Sequence, residues 1–103
     1  MNNSSVSAGM GDVAKGFAAL GHPRRLEILQ HLLLERSCCC GQVVARLDLA
    51  QSTVSQHLRV LVDAGLVKQA AQGQKSLFTV ELAAFEQLQA ELARLSACCV
   101  EKA

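Results

Sequence analysis

The sequence has no tryptophan and no tyrosine, and only three phenylalanines and one proline among its 103 residues. With so few aromatic rings, the core must come largely from alanine, leucine and valine, which favours helices packed through small contacts. Charged residues make up 18% of the chain, and the formal net charge is +1. That balance excludes a polybasic nucleic-acid binder, so any contact with nucleic acid must come from a local patch.

Membrane and export signals are also missing from the sequence. No apolar run approaches the roughly 18 residues that a membrane-spanning helix requires, and the N-terminus lacks a basic stretch followed by an apolar run. We therefore expect a cytoplasmic protein with no membrane partner. The length and composition predict one small domain over residues 12–100, preceded by a disordered tail over residues 1–11. A core of this size often recruits a partner chain.

Five cysteines form two tight clusters: Cys38, Cys39 and Cys40 in the middle of the chain, and Cys98 and Cys99 near its end. An odd number in this arrangement is a poor disulfide framework, and in a reducing compartment cysteines more often bind metals or take part in redox chemistry. All five are therefore candidate metal ligands. None has an obvious acid–base partner and the chain lacks a glycine-rich phosphate loop, so we expect no enzyme activity and no required cofactor.

Apolar spacing predicts a mainly α fold with a small β-hairpin. Asp12 is the expected N-cap of the first helix, and Gly65 the residue that ends the fourth. The predicted helices cover residues 12–20, 23–35, 42–47, 49–64 and 82–99, and the predicted strands cover 66–71 and 76–80. The last helix carries an apolar seam suited to a dimer interface with the first helix nearby, formed by Phe85, Leu88, Leu92, Leu95 and Cys99.

The fourth predicted helix has the most informative pattern, LAQSTVSQHLRVLVDA. Val54, Leu58, Leu61 and Val62 give one buried stripe. The remaining positions carry hydrogen-bonding side chains: Gln51, Ser52, Thr53, Ser55, Gln56, His57 and Arg59. Amides and hydroxyls near a helix N-terminus suit phosphate oxygens and base edges. Together with the short helix before it, this stretch predicts a helix-turn-helix, and Lys75 at the hairpin tip fits a wing that touches phosphates.

The strings LGHPRRLEIL and ARLDLAQSTVSQHLRVLVDAGLV resemble the ArsR/SmtB family of small winged helix-turn-helix repressors. The resemblance implies a homodimer that binds double-stranded operator DNA near its own gene and leaves it when an inducer binds. It also implies that the polar residues of the fourth helix read DNA. By position, the best candidates for base or phosphate contact are Ser52, Thr53, Gln56 and His57.

The family's sensing sites can be compared with the chain residue by residue. A zinc site of Asp and His on the last helix is not available, because that helix has neither residue type. A Cys-x-Cys thiolate site for trivalent arsenic or antimony matches Cys39, but its second position falls on Gly41. The resemblance therefore favours arsenite or antimonite as inducer, with a ligand set that departs from the family pattern.

Thiolate chemistry leaves several ions open, since soft donors also take cadmium, lead, copper(I) or zinc. Consecutive helical residues point about 100° apart, so three adjacent cysteines cannot all face one ion from a regular helix. An irregular turn over residues 37–41, or two of these cysteines with Cys98 or Cys99, would allow it. An alternative is a repressor of the same fold whose thiols respond to oxidants or persulfides.

Overall fold

The computed structural model describes residues 9–35 and 39–102, with side chains described as far as residue 97. Across these residues the chain forms five helices and a two-stranded antiparallel sheet. The elements in chain order are α1 (Met10–Leu20), α2 (Pro23–Glu35), α3 (Cys40–Leu47), α4 (Gln51–Asp63), β1 (Val67–Gln72), β2 (Lys75–Val80) and α5 (Leu82–Lys102). The predicted mainly α fold with a small hairpin is confirmed.

The core lies where α2 and α4 cross, closed by α3 on one side and the hairpin on another. Ile28 and Leu32 of α2 meet Leu61 of α4, and all three have no exposed surface. Further buried side chains join the same cluster from the other elements: Val43, Leu66, Val67, Phe78 and Leu88. Burial of each large aliphatic side chain contributes about 1.5–3 kcal/mol to the stability of the fold. This cluster therefore fixes the angle at which α4 packs against the rest of the domain.

The turn between α3 and α4 depends on Asp48, which has left-handed backbone angles (φ 55°, ψ 47°) and donates its N–H to Val44 O at 2.9 Å. Asp tolerates this region better than most residues because its short polar side chain bonds locally. At the other end of α4, Gly65 (φ 80°) and Leu66 donate to Val62 O and Leu61 O. This paired pattern caps the helix, and the predicted role of Gly65 is confirmed.

The hairpin is a short wing that follows α4 directly. Val67 pairs with Val80 at its base and Gln72 with Lys75 at its tip, where Gly73 (φ 63°) makes the tight turn. The strands begin one residue later in β1 and one residue earlier in β2 than predicted, so Lys75 lies within a strand. Its position at the tip is as expected.

Three predicted helix starts are wrong, that of α4 because Ala50 is extended and the helix begins at Gln51 rather than at residue 49. α1 begins at Met10, with Gly9 as its N-cap. Asp12 lies inside the first turn, where its carboxylate interacts favourably with the helix dipole but does not cap the helix. α3 begins at Cys40, two residues early, because Gln42 Oε1 accepts the backbone N–H of Cys39 at 2.8 Å and stabilises the first turn. The predicted tail before residue 9 lies outside the described residues, and α5 extends past residue 99 to Lys102.

α1 packs against α5 through a close approach at Gly16. A Cβ added there would lie 3.0 Å from Leu88 Cδ2 and 3.3 Å from Cδ1. Further along α5 the apolar seam is open, since Leu92 is 54% exposed and Leu95 56% exposed.

None of the helices in the described part of the chain could span a lipid bilayer.

We expect Gly16→Val to lower the free energy of unfolding by about 1–3 kcal/mol, because the added methyl groups would overpack the contact with Leu88. Gly11→Val is the matched control: a Cβ at Gly11 meets nothing within 4 Å. Denaturant unfolding at one fixed protein concentration compares the two variants. Equal stability of both would contradict the close approach.

Candidate nucleic-acid interface and thiol site

α4 separates its polar residues into an exposed face and a half-buried edge. Val54, Leu58 and Leu61 face the core, while Val62, predicted in the same buried stripe, is only half-buried, as are Thr53 and His57. The exposed polar residues up to Arg59, which define the polar face, are Gln51, Ser52, Ser55, Gln56 and Arg59; Asp63 is exposed in the last turn, beyond this face. Four of these follow the i, i+3, i+4, i+7 spacing of one helical stripe, starting at Ser52 and ending at Arg59. The face therefore presents hydroxyl, amide and guanidinium groups without any carboxylate.

The N-terminus of α4 is open to an anion. Its N-cap is Ala50, which makes no side-chain capping bond. The amides of the first turn therefore have no side-chain acceptor of their own cap and can donate to a phosphate oxygen. Ser52 lies in this turn, so a phosphate held there would bring the exposed face against a groove.

The wing carries two lysines with different surroundings. Lys68 Nζ lies 3.4 Å from Glu81 Oε1, so its charge is partly matched. Lys75 is exposed at the tip and forms no ion pair with the residues that the structure describes. A cross-strand hydrogen bond from Gln69 Nε2 to Ser76 Oγ at 3.1 Å stiffens the tip. Lys75 is thus the free cation of the wing among the described side chains.

The two described cysteines lie next to α4. Cys39 is the N-cap of α3 in an extended conformation, and Cys40 is the first helical residue, so their side chains leave the backbone in different local geometries. Both are free thiols and partly exposed. Cys40 Sγ lies 3.5 Å from Ser55 Oγ, at hydrogen-bonding distance for sulfur. A thiol of α3 therefore touches the polar face of α4 directly.

A cleft of about 440 Å³ opens beside these thiols, between the start of α3 and the wing. Phe78 gives it an apolar wall, and Lys75 lies at its rim on the tip of the wing. An ion or small molecule can therefore reach Cys39 and Cys40 from solvent. The cleft also means that the thiols, the wing and α4 share one surface of the protein.

Of the five cysteines predicted as metal ligands, the structure describes the side chains of Cys39 and Cys40. Cys38 lies outside the described residues, and the side chains of Cys98 and Cys99 lie outside them too. Within the described part of the chain, no three Cys, His, Asp or Glu side chains converge on one point. The predicted irregular turn over 37–41 is wrong at its end, since Cys40 and Gly41 are helical.

His57 packs against His22, in the turn between α1 and α2. Its ring centroid lies 4.5 Å from that of His22, with the planes tilted by 56°. Burial lowers the pKa of His57 below its usual value, and the nearby His22 and Arg25 lower it further. The signal in the sequence was a histidine directly before Pro23 at the start of a helix. The neighbouring residues do not indicate which other helix its ring contacts.

Comparisons with known proteins agree with this geometry. Residues 22–69 match the family model described as bacterial regulatory protein, arsR family. An uncharacterized HTH-type transcriptional regulator of Methanocaldococcus jannaschii is 40% identical over 58% of this chain and 67% of its own length. The transcriptional activator HlyU of Vibrio cholerae is 39% identical over 60% of this chain and 56% of its own. The arsenical resistance operon repressor of Bacillus subtilis is 32% identical over 60% and 59%.

Solved structures give the same result for the fold. An ArsR-like transcriptional regulator from Rhodococcus sp. RHA1 superposes with a TM-score of 0.80 at 25% identity, over 89% of this chain and 86% of that one. The homodimeric winged helix-turn-helix DNA-binding domain of Mb0332 from Mycobacterium bovis gives a TM-score of 0.67 at 24% identity, over 98% and 90%. The match extends over the helices, the turn and the wing, so the predicted winged helix-turn-helix is confirmed.

Proposed function

Because the chain belongs to the arsR family of bacterial regulatory proteins, and is thus a DNA-binding transcriptional regulator, we propose that it is a repressor controlled by its thiols. It binds operator DNA as a homodimer through α4 and the wing. A thiophilic ion, of which trivalent arsenic or antimony suits the site best, binds cysteine thiolates at the start of α3 and releases the DNA.

The contact between Cys40 and Ser55 carries this proposal. The two atoms are 3.5 Å apart although the residues are 15 positions apart in the chain. Ser55 belongs to the exposed polar face of α4, which lacks carboxylates and so suits a polyanion. A ligand that displaces the Cys40 thiol therefore changes a direct contact of the DNA-reading face, with no intermediate residue.

Release requires only a modest coupling energy. Allosteric coupling free energies of about 1–3 kcal/mol change affinity roughly 5- to 150-fold. A dimer amplifies the effect, because its two reading helices must match two half-sites about 34 Å apart and a small shift of each breaks that register. Closing thiolates on an ion at the start of α3 would supply such a shift to α4.

The homodimer is supported by the open apolar seam of α5. Leu92 and Leu95 are more than half exposed there, and Met10 at the start of α1 is 61% exposed. Exposed leucines in a row favour association with a second apolar helix. Mb0332, which shares the fold, is described as homodimeric. We infer that α1 and α5 of two copies pack together.

The donor set decides which ions fit. Cys39 and Cys40 supply soft sulfur donors, and thiolates select soft ions over magnesium or calcium. The Bacillus subtilis relative is named an arsenical resistance operon repressor. Cys39 and Cys40 would hold the ion, with a third thiol from Cys38, Cys98 or Cys99. The adjacent, partly exposed thiols also favour the alternative of an oxidant- or persulfide-responsive repressor.

DNA binding itself is tested with a labelled duplex covering the DNA upstream of the protein's own gene. We expect the reduced, metal-free protein to bind it with an affinity that falls steeply as salt rises, since phosphate contacts release counterions. A scrambled duplex of the same length and composition gives the nonspecific affinity. Equal affinity for both duplexes would reject a sequence-specific regulator and leave a general interaction module.

Lys75→Ala should weaken binding to both duplexes by a similar factor and reduce the salt slope by about one, because the wing tip contacts phosphate rather than bases. Lys15→Ala makes the same change of charge on α1, in a cleft beside α5. Affinity measured over a salt series compares them. If the two variants had the same slope, the wing tip would have no phosphate contact.

A further inference from the structure

The imidazole of His57 lies on the edge of α4 that turns back into the protein. It is half-buried, one turn after the half-buried Thr53, whereas Ser52, Ser55 and Gln56 are exposed. Its ring packs on His22, in the turn that joins α1 to α2, with 4.5 Å between centroids. His57 therefore belongs to the contact between the reading helix and the body of the domain.

The surroundings of the His57 ring favour its neutral form. His22 Nδ1 accepts the backbone N–H of Arg24 at 3.1 Å, which holds the His22 ring in place at the start of α2. The guanidinium of Arg25 donates to Ala19 O at 2.6 Å and to Ala18 O at 3.4 Å, which fixes a permanent positive charge at the end of α1. A proton added to the His57 imidazole would lie close to that charge.

We propose that His57 is a positioning residue, whose neutral ring on His22 ties α4 to the α1–α2 turn, and that protonation of His57 weakens DNA binding. The inference rests on the proposed DNA-binding function. It adds that the regulator loses affinity for its operator as the solution becomes acidic, independently of any thiol ligand. His57 then sets the pose of the exposed face instead of contacting the DNA.

The charges around His57 all lower its pKa. The groups that affect its pKa are His22 from the turn and Arg25 from α2, and both lower it after the larger effect of burial. The carboxylate in the same part of α2, that of Glu27, is paired with Arg24 at 2.7 Å. Since the folded pKa lies below the unfolded value, the contribution of His57 to stability is full above the unfolded pKa and is lost as pH falls through that value towards the folded pKa.

A histidine that contacts phosphate would behave in the opposite way. The phosphate charge would favour the imidazolium, so affinity would rise as pH falls and binding would take up a proton. The sign of the pH dependence therefore distinguishes a positioning role from direct contact with phosphate. Replacement of His57 by phenylalanine, which keeps a flat ring but has no titrating nitrogen, is a second test of the same distinction.

The experiment measures affinity for the upstream duplex from about pH 8 to about pH 5.5 at constant ionic strength. We expect the wild-type affinity to fall roughly threefold to fivefold over this range, as a pKa difference of about one unit between free and bound protein gives when the free pKa lies below the usual histidine value. His57→Phe should flatten the profile and bind more tightly than His57→Ala at the upper pH, because the ring still packs on His22. His57→Ala should bind more weakly at every pH.

His22→Asn provides a second test at a residue outside the reading helix. The Asn side chain can still accept the N–H of Arg24 and cap α2, but the ring that packs against His57 is removed. We expect it to weaken operator binding as His57→Ala does. NMR titration of the free protein gives a readout that needs no DNA: the pKa of His57 should lie below the usual histidine value and rise when His22 is replaced.

Two results would overturn the inference while leaving the proposed function intact. One is an affinity that increases towards low pH, and the other is a His57→Phe variant as weak as His57→Ala at the upper pH. Absence of sequence-specific binding by the wild type at every pH would instead reject the proposed function and the inference together. Circular dichroism of each variant at both ends of the pH range checks that the fold is retained.

Discussion

Gln56→Ala is expected to lower affinity for the upstream duplex roughly 5- to 150-fold, the effect of losing about 1–3 kcal/mol of contact with a base. Gln56 lies in the middle of the exposed stripe of α4, flanked by Ser52 and Arg59 one turn to either side. An amide there can donate and accept at once, which suits an adenine edge in the major groove. The loss should be much smaller for the scrambled duplex, because base contacts carry the specificity.

Gln30→Ala is the matched control, since Gln30 is an exposed glutamine on α2. It should bind the upstream duplex within about twofold of the wild type, as surface substitutions away from an interface usually cost less than 0.5 kcal/mol. The salt slope of Gln56→Ala should stay unchanged, which distinguishes a base contact from a phosphate contact. An equal loss of affinity for specific and scrambled DNA would show that Gln56 does not read sequence.

The double variant Cys39→Ser/Cys40→Ser is expected to keep its affinity for DNA and to lose its response to arsenite completely. Serine at residue 40 can still hydrogen-bond Ser55, which lies 3.5 Å from the present thiol, so the DNA-bound arrangement is preserved. The hydroxyls are hard, weak donors compared with thiolates, so the soft ion loses its ligands. Binding of the upstream duplex, followed with and without arsenite, measures both properties on one sample.

The companion variant Cys98→Ser/Cys99→Ser separates the two ligand sets left open by the sequence. An unchanged arsenite response would assign the ion to the cluster of residues 38–40, and a lost response would add the end of α5 to the site. If Cys39→Ser/Cys40→Ser still released DNA on addition of arsenite, the thiols at the start of α3 would not be the sensor.

Periodicity was enough to predict the reading helix. Val54, Leu58 and Leu61 are buried as their spacing required, and the polar residues between them are exposed, apart from Thr53 and His57. Gly65 could also be assigned, because a glycine after an amphipathic run commonly takes a left-handed conformation that ends the helix. These features depend on residues within one turn of each other, which is the range that sequence patterns describe well.

The remaining features depend on contacts that a linear pattern does not contain. The start of α3 was missed because the Gln42 side chain caps the Cys39 amide, a capping box in which a cysteine takes the usual place of serine. The contacts of Cys40 with Ser55 and of His22 with His57 join residues from different elements. Only the packing angle of α4, set by the buried core, brings these side chains together.

One titration tests the central claim most directly: arsenite added to the reduced, metal-free protein bound to its labelled upstream duplex, with fluorescence anisotropy following the complex. We expect the duplex to be released as the ion binds the thiols at the start of α3, with an affinity loss of at least the roughly fivefold that a small coupling energy gives. A complex that persists in excess arsenite and dissociates only when an oxidant is added would contradict it.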